Sequence, residues 1–211
     1  WNAADLVEKP LDDVVSVCYG KDLAALAESS PNGITMGDGQ ADNSIAVELL
    51  TEYQRAAGIS DDEVRAVAAA QGVRSPDAQP MGPPHELWFI ALARALEQIL
   101  PSRGMSVAGL FLRQAASYLQ NRAIMTRIDG MVRQQGFSAP GVPSIVIAHS
   151  LGTVISYRLL VGDRAAASSV GLFLTLGSPL GLKIVASRLP PSTGFPRPPI
   201  GRWVNGLRPD D

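Results

Sequence analysis

The chain has 211 residues, 46% hydrophobic and 18% charged, with 20 glycines and 16 prolines; this suits one domain with a sizeable core and excludes a disordered chain. Eighteen Lys and Arg against 20 Asp and Glu leave a formal charge of −2, and no basic run offers the electrostatic footprint that a nucleic-acid partner needs. One cysteine, Cys18, and two histidines exclude an internal disulfide and a structural zinc site.

Residues 11–18 (LDDVVSVC) end in a β-branched run before Tyr19-Gly20, which predicts a strand over 14–18 with Cys18 as a small buried hydrophobe at its end. A loop rich in Gly, Asn and Asp follows over 29–43, with Asn32-Gly33 as its turn. Asp38, Gln40, Asp42 and Asn43 echo the start of a calcium loop, but no Glu stands at the twelfth position; they read as turn residues and a helix cap. From Ser44 the period becomes helical: Ile45, Leu49 and Tyr53 recur every fourth residue and Gly58 ends the run. Ser60 and Glu63 form a capping-box pair opening a second helix, whose Val64 and Val67 share a face.

Beyond a Pro-rich connector over 72–84, helices are predicted over 86–100, 105–119 and 123–135. The last carries a stripe of Ile124, Ile128, Met131 and Val132. The apolar runs at 87–90 (LWFI) and 110–112 (LFL) read first as helix-packing core and second as the lining of a lid over a pocket. The region 42–135 is thus a helical insertion or cap. From 144 the texture changes to α/β, with a buried strand over 144–148 (SIVIA), a helix over 151–161, a strand over 170–176 (VGLFLTL), a helix over 180–188 and a strand starting at Trp203. The Pro-rich 189–199 reads as a rigid loop rather than a polyproline ligand. Continuous apolar strands alternating with helices predict an α/β fold, a mainly parallel sheet with helices on both faces. Gly and Pro interrupt the two uncharged stretches, 134–157 and 165–182, so neither reads as a transmembrane segment. No signal-peptide pattern opens the chain, which favours a cytoplasmic location.

The chemistry concentrates at Ala148-His149-Ser150-Leu151-Gly152, a G-x-S-x-G variant with Ala in the first Gly position, lying between a predicted strand and a predicted helix. A nucleophile on a sharp strand-to-helix turn takes strained backbone angles, and the residues two before and two after it are expected to be small because their side chains would meet across the turn. The helix opening at Leu151 aims its N-terminal N–H groups at the serine, so the Leu151 N–H is a candidate oxyanion donor. The bland alternative is that Ser150 only caps that helix.

AHSLG with its flanks resembles the nucleophile elbow of α/β-hydrolase-fold serine esterases and lipases. LTLGSPLG at 174–181 is similar to the strand and loop that follow the elbow helix in lipase-like members, and VSVCYGKDL at 15–23 loosely resembles a fourth strand and its YYGD loop, with Cys18 and Lys21 departing from the pattern. The likeness covers roughly the last 70 residues well and the first 25 loosely. It implies an α/β-hydrolase-like fold and a serine ester hydrolase working through an acyl-enzyme on Ser150, on a small-molecule or lipid ester, with no cofactor and no metal. The alternatives are a non-catalytic binding module, or an acyltransferase or thioesterase on the same fold. The acid implied after the strand at Trp203 is Asp211 first and Asp210 second; a solvated acidic tail is the alternative. The implied histidine base after the acid does not occur: His85 precedes a helix and reads first as a helix-start residue and second as a displaced base, and His149 adjoins Ser150 with its side chain expected to point away. No His-Gly loop precedes residue 14 to supply the second oxyanion donor. With Trp1 in place of Met, these gaps lead to the expectation of an internal piece of a larger hydrolase, whose base lies outside these 211 residues.

Overall fold

Apolar strands joined through a helix satisfy their backbone groups by pairing side by side in the same direction. The computed structural model describes residues 14–29, 44–56, 58–70, 114–137, 142–189 and 197–206. In chain order its elements are α1 (Gly20–Ser29), α2 (Ser44–Ala56), α3 (Asp61–Ala70), α4 (Arg122–Gly136), β1 (Ser144–His149), α5 (Leu151–Gly162), α6 (Arg164–Ser168), β2 (Val170–Leu176), α7 (Lys183–Arg188) and β3 (Arg202–Gly206). Residues 114–120 are also helical, and Pro179–Gly181 form one 3-10 turn. The described strands make one parallel sheet in the order β1-β2-β3. The chain is therefore α/β, with a small parallel sheet and helices.

Register sorts the side chains into two faces. Val146 lies opposite Phe173 and Ala148 opposite Thr175; Phe173 in turn faces Trp203. Phe173 and Thr175 are fully buried, and α5 covers this side, its Tyr157 ring 5.5 Å from that of Trp203. Helix α5 is buried nearly all round, at Leu151, Thr153, Val154, Ile155, Ser156, Tyr157, Leu159 and Leu160, because the sheet lies on one side of it and the helical layer on the other. The opposite face of the sheet carries Ile145 and Ile147, 58% and 51% exposed, so β1, expected to be a buried strand, is buried only at Ala148. Among the described residues only one face is thus covered, where helices on both faces were expected.

In the helical layer the stripe on α4 is buried at Ile124, Ile128 and Val132. Asn121 caps this helix, its Oδ1 accepting from the Ala123 and Ile124 N–H groups at 3.0 and 3.2 Å. The capping box forms as its spacing requires: the Ser60 N–H donates to Glu63 Oε2 at 2.8 Å and the Glu63 N–H to Ser60 Oγ at 3.3 Å. Glu52 of α2 accepts from the Ile184 N–H at the start of α7, tying the helical layer to the segment after β2. No helix among the described residues is long and apolar enough to cross a membrane.

Three local expectations are overturned. Residues 14–18 form no strand; Val14 and Val15 are 58% and 67% exposed, since β-branched propensity makes a strand only where a ladder partner exists. Cys18 is exposed, not a buried hydrophobe. The helix expected over 180–188 breaks at Leu182, whose extended backbone separates the 3-10 turn from α7. Two helices, α1 and α6, had no counterpart in the sequence reading.

Candidate functional site

The carboxyl ends of parallel strands open a crevice where α/β proteins place their ligands, and β1 ends there on the strained turn. Ser150 has φ 55° and ψ −127° and is the one non-glycine residue with positive φ among those described. Such backbone costs about 1–3 kcal/mol and persists only where its surroundings hold it. Its N–H donates to the Leu176 carbonyl at the end of β2, at 3.0 Å, and its carbonyl accepts the Thr153 N–H at 3.0 Å. An ordinary N-cap serine has extended backbone, with its hydroxyl accepting the second or third helical N–H. Here the Ser150 hydroxyl makes no cap bond, because its own carbonyl takes the third N–H. The simple-cap alternative therefore fails on geometry.

Leu151 is the first residue of α5 and is buried, so its N–H has no intrahelical acceptor and lies at the positive end of the helix dipole. Gly152 is small for a reason other than the one expected. A Cβ there would meet the Tyr19 hydroxyl at 3.2 Å and would not reach Ala148. Tyr19 is half-buried over the first turn of α5, and burial pushes its phenol up to about 12. Sequence reasoning missed it because the contact joins residues far apart in the chain.

His149 packs beside the end of β2. Its ring lies against Gly177, where a Cβ would come within 3.4 Å of Nε2, and Gly177 itself has φ 51°. Among the described residues no hydrogen bond joins this imidazole to Ser150. Next to Gly177, Ser178 Oγ lies 2.8 Å from Thr153 Oγ1, and Thr153 Oγ1 donates to the Ser150 carbonyl at 2.7 Å. At the end of β3, Thr175 Oγ1 donates to Asn205 Oδ1 at 2.8 Å and accepts from the Trp203 indole at 3.1 Å. Apart from the local Thr153–Ser150 bond, these hydroxyl ties were invisible in the sequence, where their partners stand 25 to 30 residues apart.

A charged tie lies farther along α5. Asp129 of α4, buried, accepts from the Tyr118 hydroxyl at 2.6 Å and from Arg158 Nε at 2.8 Å. Burial raises its carboxyl, against the pull of Tyr118 and Arg158; the same burial raises the Tyr118 phenol strongly. Arg133 pairs with Asp163, whose Oδ1 also caps α6.

Of the residues singled out in the sequence, Ser150 and Leu151 meet at the elbow. Asp210, Asp211 and His85 lie outside the described residues, as do the calcium-loop echo at 38–43 and both apolar runs read as core or lid. Among the described residues no group of three or more His, Cys, Asp or Glu side chains could hold a metal ion. Comparison with protein-family models, with curated proteins and with solved structures finds no match.

Proposed function

We propose that Ser150 is the nucleophile of a serine ester hydrolase of the α/β-hydrolase type, in which further structure covers the Ile145 and Ile147 face of the sheet. The observation that carries this reading is the Ser150 backbone: positive φ at a parallel-strand-to-helix junction, with the side-chain hydroxyl released from capping. In the proposed reaction Ser150 Oγ bonds to the acyl carbon of an ester, and its proton passes to a general base that is not His149. Negative charge gathers on the former carbonyl oxygen, within reach of the Leu151 N–H and the α5 dipole. Collapse expels the alcohol, which takes the proton from the base, and leaves an acyl-enzyme. Water then bonds to the acyl carbon, giving its proton to the same base, and frees the acid and Ser150. Asp211, or Asp210 in second place, is the proposed acid that orients the base. The strained turn and the apolar strands beside it also support the AHSLG resemblance to esterases and lipases.

The test is hydrolysis of p-nitrophenyl esters of graded acyl length by the intact protein and its Ser150→Ala variant. Loss of a triad nucleophile lowers kcat by about a millionfold where it has been measured, so the variant is expected at background. Hydrolysis at an unchanged rate in Ser150→Ala removes the reading. Faster turnover of thioesters, or acyl transfer to an added alcohol in preference to water, reassigns the enzyme as a thioesterase or acyltransferase.

A further inference from the structure

The strain at Ser150 must be held by its surroundings, and two backbone hydrogen bonds, to Leu176 and Thr153, hold part of it. What is particular to this chain is a directed run of hydroxyls. Thr153 Oγ1 has a single proton, and the Ser150 carbonyl at 2.7 Å accepts it. The bond of 2.8 Å between Thr153 Oγ1 and Ser178 Oγ therefore has Ser178 as its donor. Ser178 Oγ in turn accepts the Leu180 N–H at 3.3 Å. Every proton is thus assigned along a neutral relay, from the peptide of the 3-10 turn through Ser178 and Thr153 to the carbonyl of Ser150. Thr153 is fully buried, so its hydroxyl has no water to turn to.

We infer that Thr153 and Ser178 are positioning residues: their hydroxyl relay holds the Ser150 carbonyl turned into the helix, and so keeps the Ser150 hydroxyl free of capping and available to react. This deepens the serine-hydrolase reading and rests on it for its catalytic consequence alone. The relay suits its place. A carboxylate bonded at the N-terminus of α5 would neutralise the dipole that a developing oxyanion needs, whereas hydroxyls leave that potential in place.

The test uses the intact protein with Thr153→Val, Thr153→Ser and Ser178→Ala, read in two ways. In steady-state hydrolysis of p-nitrophenyl butyrate, Thr153→Val is expected to lose about tenfold in kcat with KM little changed, the size of one lost hydrogen bond. Thr153→Ser, which keeps the hydroxyl and drops the methyl, is expected to restore most of that loss, and Ser178→Ala to lose severalfold. In crystal structures of the same variants, Ser150 is expected to leave positive φ in Thr153→Val and to keep it in Thr153→Ser. Thr153→Ser as impaired as Thr153→Val would make the role one of packing and overturn the relay, as would Ser150 retaining φ near 55° in Thr153→Val. If the wild type hydrolyses no ester, the serine-hydrolase reading fails while the crystallographic comparison still decides the relay. Ser178, only partly buried, serves the same purpose should Thr153→Val not fold: unchanged kcat and Ser150 geometry in Ser178→Ala would overturn its part.

Discussion

Helix α5 is met toward its two ends by polar side chains of different kinds. At its N-terminus the ties are neutral: Thr153 and Ser178 hydroxyls on the Ser150 carbonyl, and the Tyr19 phenol against Gly152. In its second half the tie is charged, Arg158 against an Asp129 that also accepts from Tyr118. On the proposed hydrolase reading, this arrangement anchors the helix without discharging the end that faces Ser150. A buried carboxylate near Ser150 would both repel developing negative charge and offset the dipole. Two turns away the same ion pair joins α5 to α4 at no such penalty.

If the charged end is an anchor and nothing more, breaking it should weaken the fold and spare the chemistry. Asp129→Ala leaves the fully buried Tyr118 hydroxyl and the part-buried Arg158 guanidinium without their shared partner, and is expected to lower stability by about 3 kcal/mol in urea unfolding. Its reactivity at Ser150, measured below the unfolding range, should match the wild type. A large fall in reactivity with the fold intact would break the distinction between the two ends.

Alkaline titration sharpens it from the other side. The Tyr19 phenol titrates near 10 in an unfolded chain and is pushed up to about 12 in the fold. Its contribution to stability is therefore complete below pH 10 and is lost as pH rises toward 12, because the unfolded chain ionises first. The loss is expected to reach roughly 2 kcal/mol. Tyr19→Phe should flatten that part of the stability profile, leaving the slope due to Tyr118 and Tyr157, whose phenols burial also raises.

The smallest effect separates Tyr19 from Ala148 as the reason for Gly152. Gly152→Ala gains helix propensity, up to about 1 kcal/mol, and loses about 1–3 kcal/mol to the close approach of the Tyr19 hydroxyl. A net loss near 1 kcal/mol is expected, turning into a small gain in the Tyr19→Phe background. A double-mutant cycle on thermal unfolding reads this directly, and additivity of the two changes would remove the proposed contact.

How far the sequence could be read follows the reach of the interactions. The run from 144 to 176 was legible because strand, strained turn, helix and second strand are contiguous, and a serine between an apolar strand and an apolar helix has few ways to fold. The stripe on α4 and the Ser60–Glu63 box were legible for the same local reason. Residues 14–18 misled because a β-branched run reports propensity, while a strand needs a partner supplied elsewhere. The need for a small residue at 152 was expressed in the motif, yet its cause, Tyr19, stands more than a hundred positions away. Asp129 sits beside Ile128 on a helix whose charged residues otherwise look like a solvated face, and only the packing of residues 114–120 and α5 against it reveals a buried carboxylate. Thr153 and Ser178 were silent for want of any local signal linking them.

The central proposal is Ser150 as a nucleophile. The direct measurement is to treat the intact protein with a fluorophosphonate, digest it and map the adduct by mass spectrometry. A single phosphonylated site at Ser150, absent from Ser150→Ala and slowed in Thr153→Val, is the predicted result. An unmodified Ser150 in folded protein that hydrolyses esters would contradict it.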